Sequence, residues 1–288
     1  MIPAQFDYAS PKTLAEAVAL LAQHPDDAKI LAGGHSLLPA MKLRLASPRL
    51  VIDIGRIADL AYIREEGRQI HIGALATHYQ IESSTRLKEI CPLLPETAAQ
   101  IGDVQVRNRG TVCGSLAHSD PAADWPATIL ALDAEMVAVS SRGERVLPAA
   151  SFFVDLMTTA LQPGEILREI RIPVPHKRTG HAYVKVAQPA SGFAVVGIAV
   201  NLVGGDDGKC KSAGIGITGV ASKAYRASAV EKALAGGAFD EARLAEAASH
   251  AADGIEANGD LYASADYRRH LATVYTRRAI AKAASRIR

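Results

Sequence analysis

The sequence lacks the features that suit a protein to nucleic acid or to a membrane. It has one Trp, and its 32 basic residues are nearly balanced by 30 acidic ones, so the formal net charge is only +2. Nucleic-acid partners, which need a basic surface and stacking aromatics, are therefore not expected. No run approaches the roughly 18 consecutive apolar residues of a membrane span, and residues 1–10 lack a basic start followed by an apolar stretch. We expect a cytoplasmic protein without a transmembrane segment.

Cysteine and histidine are too scattered for a metal centre. The three cysteines, Cys91, Cys113 and Cys210, form no CxxC pair, and the nine histidines include no HExxH motif. Neither a disulfide framework nor a zinc or iron–sulfur site is expected, so any metal chemistry must belong to another chain. The 288 residues, 49% hydrophobic and 22% charged, are typical of a folded globular protein with one large domain or two ordinary ones.

The hydrophobic pattern divides the chain into three regions, 1–55, 56–176 and 177–288. In the first, apolar runs at 29–32 and 50–54 on either side of a short helix predict a small lobe with parallel strands. In the second, short segments of alternating polarity predict a larger antiparallel lobe. In the third, three strand-like runs precede three helical segments, which predicts a sheet followed by helices.

Capping residues and turn signals set the expected limits of the elements. A capping box at Thr13 and Glu16 begins a first helix, and Thr77 and Ser84 begin two more. The other expected helices lie near 37–43, 93–101, 128–132, 226–235, 240–252 and 264–285. The expected strands beyond the first region are 69–75, 135–140, 166–172, 182–187, 193–203 and 210–220. This order of elements indicates an α+β fold.

The first segment that suggests chemistry is the loop Ala32-Gly33-Gly34-His35-Ser36, between a strand end and a helix start. Two glycines let the backbone approach a ligand, and successive N–H groups before a helix form a nest suited to phosphate. The alternative is an ordinary glycine turn. The loop is neither a Walker sequence nor a GxGxxG fingerprint.

The second segment runs from Arg109 to Asp124 and is rich in small residues. Hydroxyl groups at Thr111, Ser115 and Ser119 are suited to donate hydrogen bonds to a close ligand, and the Asp124 carboxylate is suited to accept two from sugar hydroxyls. The alternative is a glycine-rich crossover loop in which Asp124 only caps the helix beginning at residue 125.

Together these segments resemble the FAD-binding medium subunit of molybdenum hydroxylases, the carbon monoxide dehydrogenase and xanthine dehydrogenase family. The loop and the C-terminal segment are most similar to the carbon monoxide dehydrogenase branch. The resemblance covers nearly the whole chain, and is carried by IPAQFDYASPKTLAEAVALL, LAGGHSLLPAMKLRLASP, IGDVQVRNRGTVCGSLAHSDPAADWPA, EILREIRIPVP and YRRHLATVYTRRAI.

The resemblance implies an α+β fold with a two-lobed FAD-binding domain of the vanillyl-alcohol-oxidase type, its lobes at 1–55 and 56–176. A C-terminal domain, 177–288, is then expected to hold a three-stranded antiparallel sheet with a helical bundle.

The resemblance also implies one non-covalently bound FAD. Its pyrophosphate is expected on the two loops, at Ala32, Gly33, Gly34, His35, Ser36, Thr111, Gly114 and Ser115. Asp124 is expected to hold ribityl or ribose hydroxyls. The isoalloxazine ring is expected near Ile101, Leu167, Lys185 and Phe193, for each of which an ordinary core or surface position is the alternative.

The sequence departs from the family pattern at several positions. Cys113 stands where the Thr-x-Gly-Gly-Asn loop usually has its first glycine, and Ser115 stands where it has Asn. Ala187 and Gln188 replace more basic residues of the carbon monoxide dehydrogenase relatives. The family resemblance therefore does not by itself imply carbon monoxide as the substrate.

The implied function is electron transfer within a heterotrimer. A large subunit with the molybdenum cofactor oxidises the substrate, a small subunit carries two [2Fe-2S] clusters, and this chain passes their electrons through FAD to an external acceptor. A dimer of heterotrimers is expected, in the cytoplasm or peripherally at the inner face of the membrane through the complex. No catalytic residue is expected in this chain.

Two other functions remain open from the sequence. One is a self-contained flavin oxidoreductase of the same FAD-binding superfamily, which needs substrate groups facing the flavin. The other is a non-enzymatic scaffold whose basic C-terminal helix docks a partner, the alternative for that helix being a solvated charged face. The basic residues concerned are Arg268, Arg269, Arg277, Arg278, Lys282 and Arg286.

Overall fold

The N-terminal part of the chain forms a small parallel sheet with two helices. In the computed structural model, which describes residues 1–287, its elements are β1 (Asp7–Ala9), α1 (Leu14–Gln23), β2 (Ala28–Leu31), α2 (Leu37–Lys42) and β3 (Leu50–Asp53). The strand order is β1-β3-β2 with all pairs parallel, which confirms the predicted parallel pair. Thr13 Oγ1 accepts the Glu16 N–H at 3.2 Å, so α1 begins at the predicted cap.

The middle part of the chain contains a five-stranded antiparallel sheet. Its strands are β4 (Ile63–Glu66), β5 (Gln69–Gly73), β6 (Glu135–Ser140), β7 (Gly143–Pro148) and, after the small hairpin β8 (Phe153–Asp155) and β9 (Thr158–Thr159), β10 (Ile166–Pro173). The strand order in the sheet is β4-β5-β10-β6-β7. The helices are a 3₁₀ turn (Ala58–Leu60), α3 (His78–Ser83), α4 (Thr85–Ile90), α5 (Leu93–Ala98), α6 (Val104–Arg109), α7 (Val112–His118), α8 (Trp125–Ala131) and α9 (Ala149–Phe152). Helices α3 and α4 begin at the predicted caps Thr77 and Ser84, but α7 lies where the sequence suggested a loop.

The C-terminal part is a sheet followed by helices, as predicted. Its elements are β11 (Thr179–Ala187), β12 (Ala194–Gly204), β13 (Cys210–Thr218), β14 (Tyr225–Arg226), α10 (Ser228–Leu234), α11 (Glu241–Ser249) and α12 (Ala265–Ala284). The sheet has four strands rather than the expected three, because the two-residue strand β14 pairs with β13. Arg226 secures this strand through the Glu231 carboxylate at 2.6 Å. Within residues 1–287 no helix is long and apolar enough to cross a bilayer.

Helix α8 joins the second sheet region to the C-terminal sheet. All seven of its residues are buried, as in a helix that is enclosed on every side. A Cβ at Gly216 would lie 1.9 Å from the Ala127 carbonyl oxygen, and a Cβ at Gly214 would lie 2.1 Å from that of Ala131. The helix backbone therefore rests directly on β13, and only glycine leaves room for it.

We expect Gly216→Ala to lower the free energy of unfolding by about 2 to 3 kcal/mol, because the added methyl group must push α8 away from β13. Gly67→Ala is the matched control, since Gly67 has φ +60° but a Cβ there meets nothing within 4 Å. Its cost should be about 1 kcal/mol, from backbone strain alone. Urea unfolding of both variants gives the comparison, and equal losses would contradict the close packing of α8.

Candidate functional site

A cleft of about 730 Å³ is lined by residues of all three regions of the chain. This volume lies within the range of small-molecule and cofactor sites. Twelve of the thirteen residues singled out in the sequence line the cleft: Ala32, Gly33, Gly34, His35, Ser36, Ile101, Thr111, Gly114, Ser115, Asp124, Leu167 and Phe193. Lys185 is the exception.

The first loop connects β2 to α2 and presents free backbone donors to the cleft. Within residues 1–287, the N–H groups of Gly33, Gly34, His35 and Ser36 have no hydrogen-bond acceptor. The first helical bond of this segment is made by the Leu38 N–H to the Gly34 carbonyl at 3.1 Å. Four successive unpaired N–H groups at a helix start are a site for an anion.

The second loop leads into the start of helix α7, and the hydroxyl group of Thr111 caps that helix. Thr111 Oγ1 accepts the Gly114 N–H at 3.2 Å, and the Val112 N–H bonds the Ala76 carbonyl at 3.1 Å. The Cys113 N–H finds no acceptor in the part of the chain that the structure describes. The side chain of Thr111 therefore orders the loop, while the backbone of Cys113 adds a donor to the cleft.

The cysteine that replaces the family's usual glycine does not obstruct the cleft. Cys113 is 2% exposed, and its Sγ lies 3.9 Å from the Ile72 carbonyl oxygen, beneath α7. Burial raises the pKa of this thiol, so it stays protonated and unreactive. The departure from the family pattern at this position is therefore accommodated by the core.

The two loops touch each other at Gly33. A Cβ on this residue would lie 2.3 Å from the Arg109 carbonyl oxygen and 2.8 Å from Gly110 Cα. Gly34, which follows, has φ +80°, a conformation that favours glycine. The double glycine is therefore required both to bring the loops into contact and to turn the chain into α2.

Asp124 lies in a buried polar network at the inner wall of the cleft. It precedes α8 but makes no side-chain cap, so the capping alternative is not what the structure shows. Its Oδ1 accepts from the Tyr183 hydroxyl at 2.5 Å and from Lys185 Nζ at 2.9 Å, and its Oδ2 accepts from the same Nζ at 3.0 Å. Lys185 Nζ also donates to the Gln100 carbonyl at 2.7 Å. These bonds tie β11 to the segments on either side of the cleft.

The electrostatics of this network follow from its burial. The side chains of Lys185 and Asp124 are 2% and 5% exposed. Burial raises the pKa of Asp124, while Lys185 and Tyr183 act in the opposite direction by favouring the carboxylate. Burial and the nearby Asp124 raise the pKa of Tyr183 well above its ordinary value, so Tyr183 is a donor. The network is thus a carboxylate held by one cation and one hydroxyl.

Three of the four residues expected near the isoalloxazine ring line the cleft. Leu167 is 5% exposed, Phe193 is 45% exposed, and Ile101 is held at the turn before α6 by Arg107 Nη1, which bonds its carbonyl at 3.0 Å. Lys185 points into the buried network instead, so its contact with the ring stays a prediction. Further cleft residues that the sequence did not reveal are Leu161, Gln162, Pro163, Gly164, Glu165, Ile166, Ser191 and Gly192. The Pro163-Gly164 turn was the only available signal for them.

His78 is a further cleft residue that the sequence did not reveal. It is 4% exposed and lies in the first turn of α3. Its Nδ1 accepts the Trp125 Nε1–H at 3.0 Å. Burial, with smaller contributions from His35 and Arg107, lowers the pKa of His78 to about 4, so the ring is neutral at physiological pH.

The family follows from comparison with known proteins. The profile of the FAD binding domain in molybdopterin dehydrogenase matches residues 4–175, and that of the CO dehydrogenase flavoprotein C-terminal domain matches residues 181–283. The chain is 40% identical over 286 residues to the carbon monoxide dehydrogenase medium chain of Afipia carboxidovorans, covering 99% of each chain. The chain belongs to the FAD-binding medium-subunit family of molybdenum hydroxylases.

Other members of this medium-subunit family are similar over the full length. The chain is 38% identical over 288 residues to the caffeine dehydrogenase subunit beta of Pseudomonas sp. strain CBB1, covering 100% of this chain and 97% of that one. Among solved structures, carbon monoxide dehydrogenase from Hydrogenophaga pseudoflava matches with a TM-score of 0.97 and 43% identity over the whole of both chains. These similarities confirm the α+β fold, an FAD-binding part followed by a C-terminal part of the carbon monoxide dehydrogenase type.

The cleft fits the FAD of the medium-subunit family. Five backbone N–H groups that have no acceptor within residues 1–287, at Gly33, Gly34, His35, Ser36 and Cys113, are the kind of donors that a pyrophosphate requires. The apolar side chains that also line the cleft, Ile101, Leu167 and Phe193, suit a flat ring. Within residues 1–287 no group of three metal-ligating side chains comes together.

We expect Lys185→Met to lower the free energy of unfolding by about 3 kcal/mol, because it leaves the Asp124 carboxylate buried without its cation. Arg269→Met is the matched control, since Arg269 pairs with Asp266, which is 94% exposed. Its cost should be below about 1 kcal/mol. Adding Asp124→Asn to Lys185→Met should recover part of the loss. Thermal and urea unfolding measure all of these, and additive losses in the double variant would contradict the network.

Proposed function

We propose that the chain is the FAD-carrying electron-transfer subunit of a heterotrimeric molybdenum hydroxylase. In this function it takes electrons from the [2Fe-2S] clusters of a small subunit and passes them to an external acceptor. The observation that carries the proposal is the nest of unpaired N–H groups at the meeting point of two glycine loops, in a chain that matches molybdenum-hydroxylase medium subunits over its whole length.

The residues of this chain hold the cofactor rather than transform a substrate. Backbone donors of residues 33–36 and Cys113 bind the pyrophosphate, and the hydroxyls of Thr111 and Ser115 lie beside them. Asp124 retains acceptor capacity on Oδ2 for a ribityl or ribose hydroxyl. When bound, FAD supplies the exchange between single-electron carriers and two-electron acceptors.

Apolar side chains determine how the ring end is enclosed. Ile101, Leu167 and Phe193 all line the cleft, and of these Leu167 is buried while Phe193 is 45% exposed. We place the isoalloxazine ring among these three side chains. An open side beside Phe193 gives an electron acceptor access to the ring.

The scaffold alternative depends on a free basic helix, and most of its charges are already used within the chain. Lys282 and Arg286 both pair with Glu96, Arg286 at 2.6 Å. Arg268 is 8% exposed and donates to the carbonyls of Val195 and Gly219. These contacts favour a C-terminal helix whose charges bind other residues of this chain, Glu96 of region 56–176 among them. They do not favour a helix whose charges are free to dock a partner.

The substrate belongs to the proposed large subunit. The similar medium chains come from enzymes named for carbon monoxide and for caffeine, so this subunit type serves different substrates.

We further propose a dimer of heterotrimers in the cytoplasm, where the three buried cysteine thiols remain reduced. Co-purification with a large and a small subunit, followed by mass measurement of the complex, tests both the partners and the 2:2:2 composition. A chain that purifies alone with FAD and oxidises a substrate without partners would favour the self-contained oxidoreductase.

We expect Ser36→Asp to weaken FAD binding about ten-fold or more, because it adds a negative charge to the phosphate nest. Ser36→Asn is the matched control. Asn and Asp cap a helix equally well, and Ser36 itself makes no side-chain cap, so neither change should destabilise α2. Titration of the FAD-free chain with FAD, followed by flavin fluorescence, measures the dissociation constants. Equal constants for the Asp and Asn variants would mean that the pyrophosphate lies elsewhere.

A further inference from the structure

His78 has a fixed hydrogen-bond polarity. Trp125 Nε1 can only donate, so the 3.0 Å bond to His78 requires a lone pair on Nδ1. The neutral ring must then carry its proton on Nε2. Because Trp125 is fully buried and His78 is 4% exposed, the packing of both side chains preserves this tautomer.

The Nε2 edge of the ring lies at the contact between the two loops. The His78 N–H bonds the Gly110 carbonyl at 2.9 Å, and a Cβ on Gly110 would lie 2.7 Å from His78 Nε2. Gly110 in turn is the residue against which Gly33 packs, with 2.8 Å from a Gly33 Cβ to Gly110 Cα. His78 Nε2 is therefore next to the loops that carry the free N–H groups.

Nε2–H lacks an acceptor in residues 1–287, although His78 lines the cleft. A ligand bound in the cleft beside the contact between the loops would cover this donor, and a covered donor without an acceptor is unfavourable. Phosphate oxygens supply acceptors in excess of the donors around them. The ligand group that satisfies both Nε2–H and the neighbouring N–H nest is therefore a phosphate.

We propose that the Nε2–H of His78, held in the donor tautomer by Trp125, donates a hydrogen bond to the pyrophosphate of bound FAD. The inference rests on the proposed function, and it adds a side-chain donor to a site otherwise formed by the backbone. Two cations face the ring, His35 when protonated and Arg107, the latter paired with Glu82 at 2.7 Å. The ring stays neutral, so this donor is constant between about pH 6 and pH 8.

The test compares FAD with ADP, which has the pyrophosphate but no flavin. In the FAD-free full chain, His78→Leu should raise the dissociation constants of FAD and ADP by the same factor, about ten-fold. His78→Gln, which keeps an N–H donor at similar reach, should recover most of that affinity. His181→Leu is the matched control, because His181 is also buried with a pKa lowered to about 4, yet lies outside the cleft. It should leave both dissociation constants unchanged.

The outcomes separate the inference from the function on which it rests. Wild-type chain that binds neither FAD nor ADP would overturn the proposed function and the inference with it. Wild-type binding with no effect of His78→Leu would overturn only the inference. Weaker FAD binding with unchanged ADP binding would place the donor at the flavin end and would overturn the pyrophosphate assignment.

Nitrogen-15 NMR of labelled histidines in the wild-type chain provides a test that needs no stable variant. The His78 signal is identified by its loss in His78→Gln. If that variant does not fold, the contact of the His78 ring with the Trp125 indole proton identifies the signal. We expect the Nε2-protonated tautomer before ligand is added and a changed Nε2 signal after ADP is added. An Nδ1-protonated ring, or a signal that ADP does not change, would contradict the proposal.

Discussion

Helix α8 is the element on which the site and the C-terminal packing both depend. Its backbone rests on Gly214 and Gly216 of β13, so any change in this spacing moves the C-terminal sheet relative to the cleft. Its first residue, Trp125, fixes the ring of His78, and Asp124 immediately before it anchors β11 through Tyr183 and Lys185. A single buried helix of seven residues therefore positions groups on two walls of the cofactor cleft.

The cleft combines two kinds of recognition. At the loop contact, backbone N–H groups provide charge complementarity to a phosphate, and backbone N–H groups do not titrate. The apolar side chains of Ile101, Leu167 and Phe193, which also line the cleft, provide a surface suited to a flat ring. Such a division suits a subunit whose task is to hold FAD in place while the electron exchange is performed by the cofactor and the substrate chemistry by another chain.

Local sequence signals predicted much of the fold. Capping residues such as Thr13, Thr77 and Ser84 act on N–H groups three residues away, so a short stretch of sequence contains the whole interaction. Helix α7 escaped prediction because Gly114 and Ser115 disfavour a helix locally, and the Thr111 cap and the packing of Cys113 outweigh that preference. Strand β14 was not predicted because two residues are too few to show an alternation of apolar and polar side chains.

The sequence indicates candidate donors where they are consecutive, and it does not show which distant residues contact one another. The loop 32–36 carries its chemistry within five residues, so glycine content and position between strand and helix were informative. His78 acquires its role from Trp125, 47 residues later, and Lys185 pairs with Asp124, 61 residues earlier. Composition and spacing contain no signal for such pairs. An experimental structure of the full chain with bound FAD is the most direct test of the account: we predict the pyrophosphate within hydrogen-bond distance of the N–H groups of residues 33–36 and Cys113, and a pyrophosphate bound away from this loop contact would contradict it.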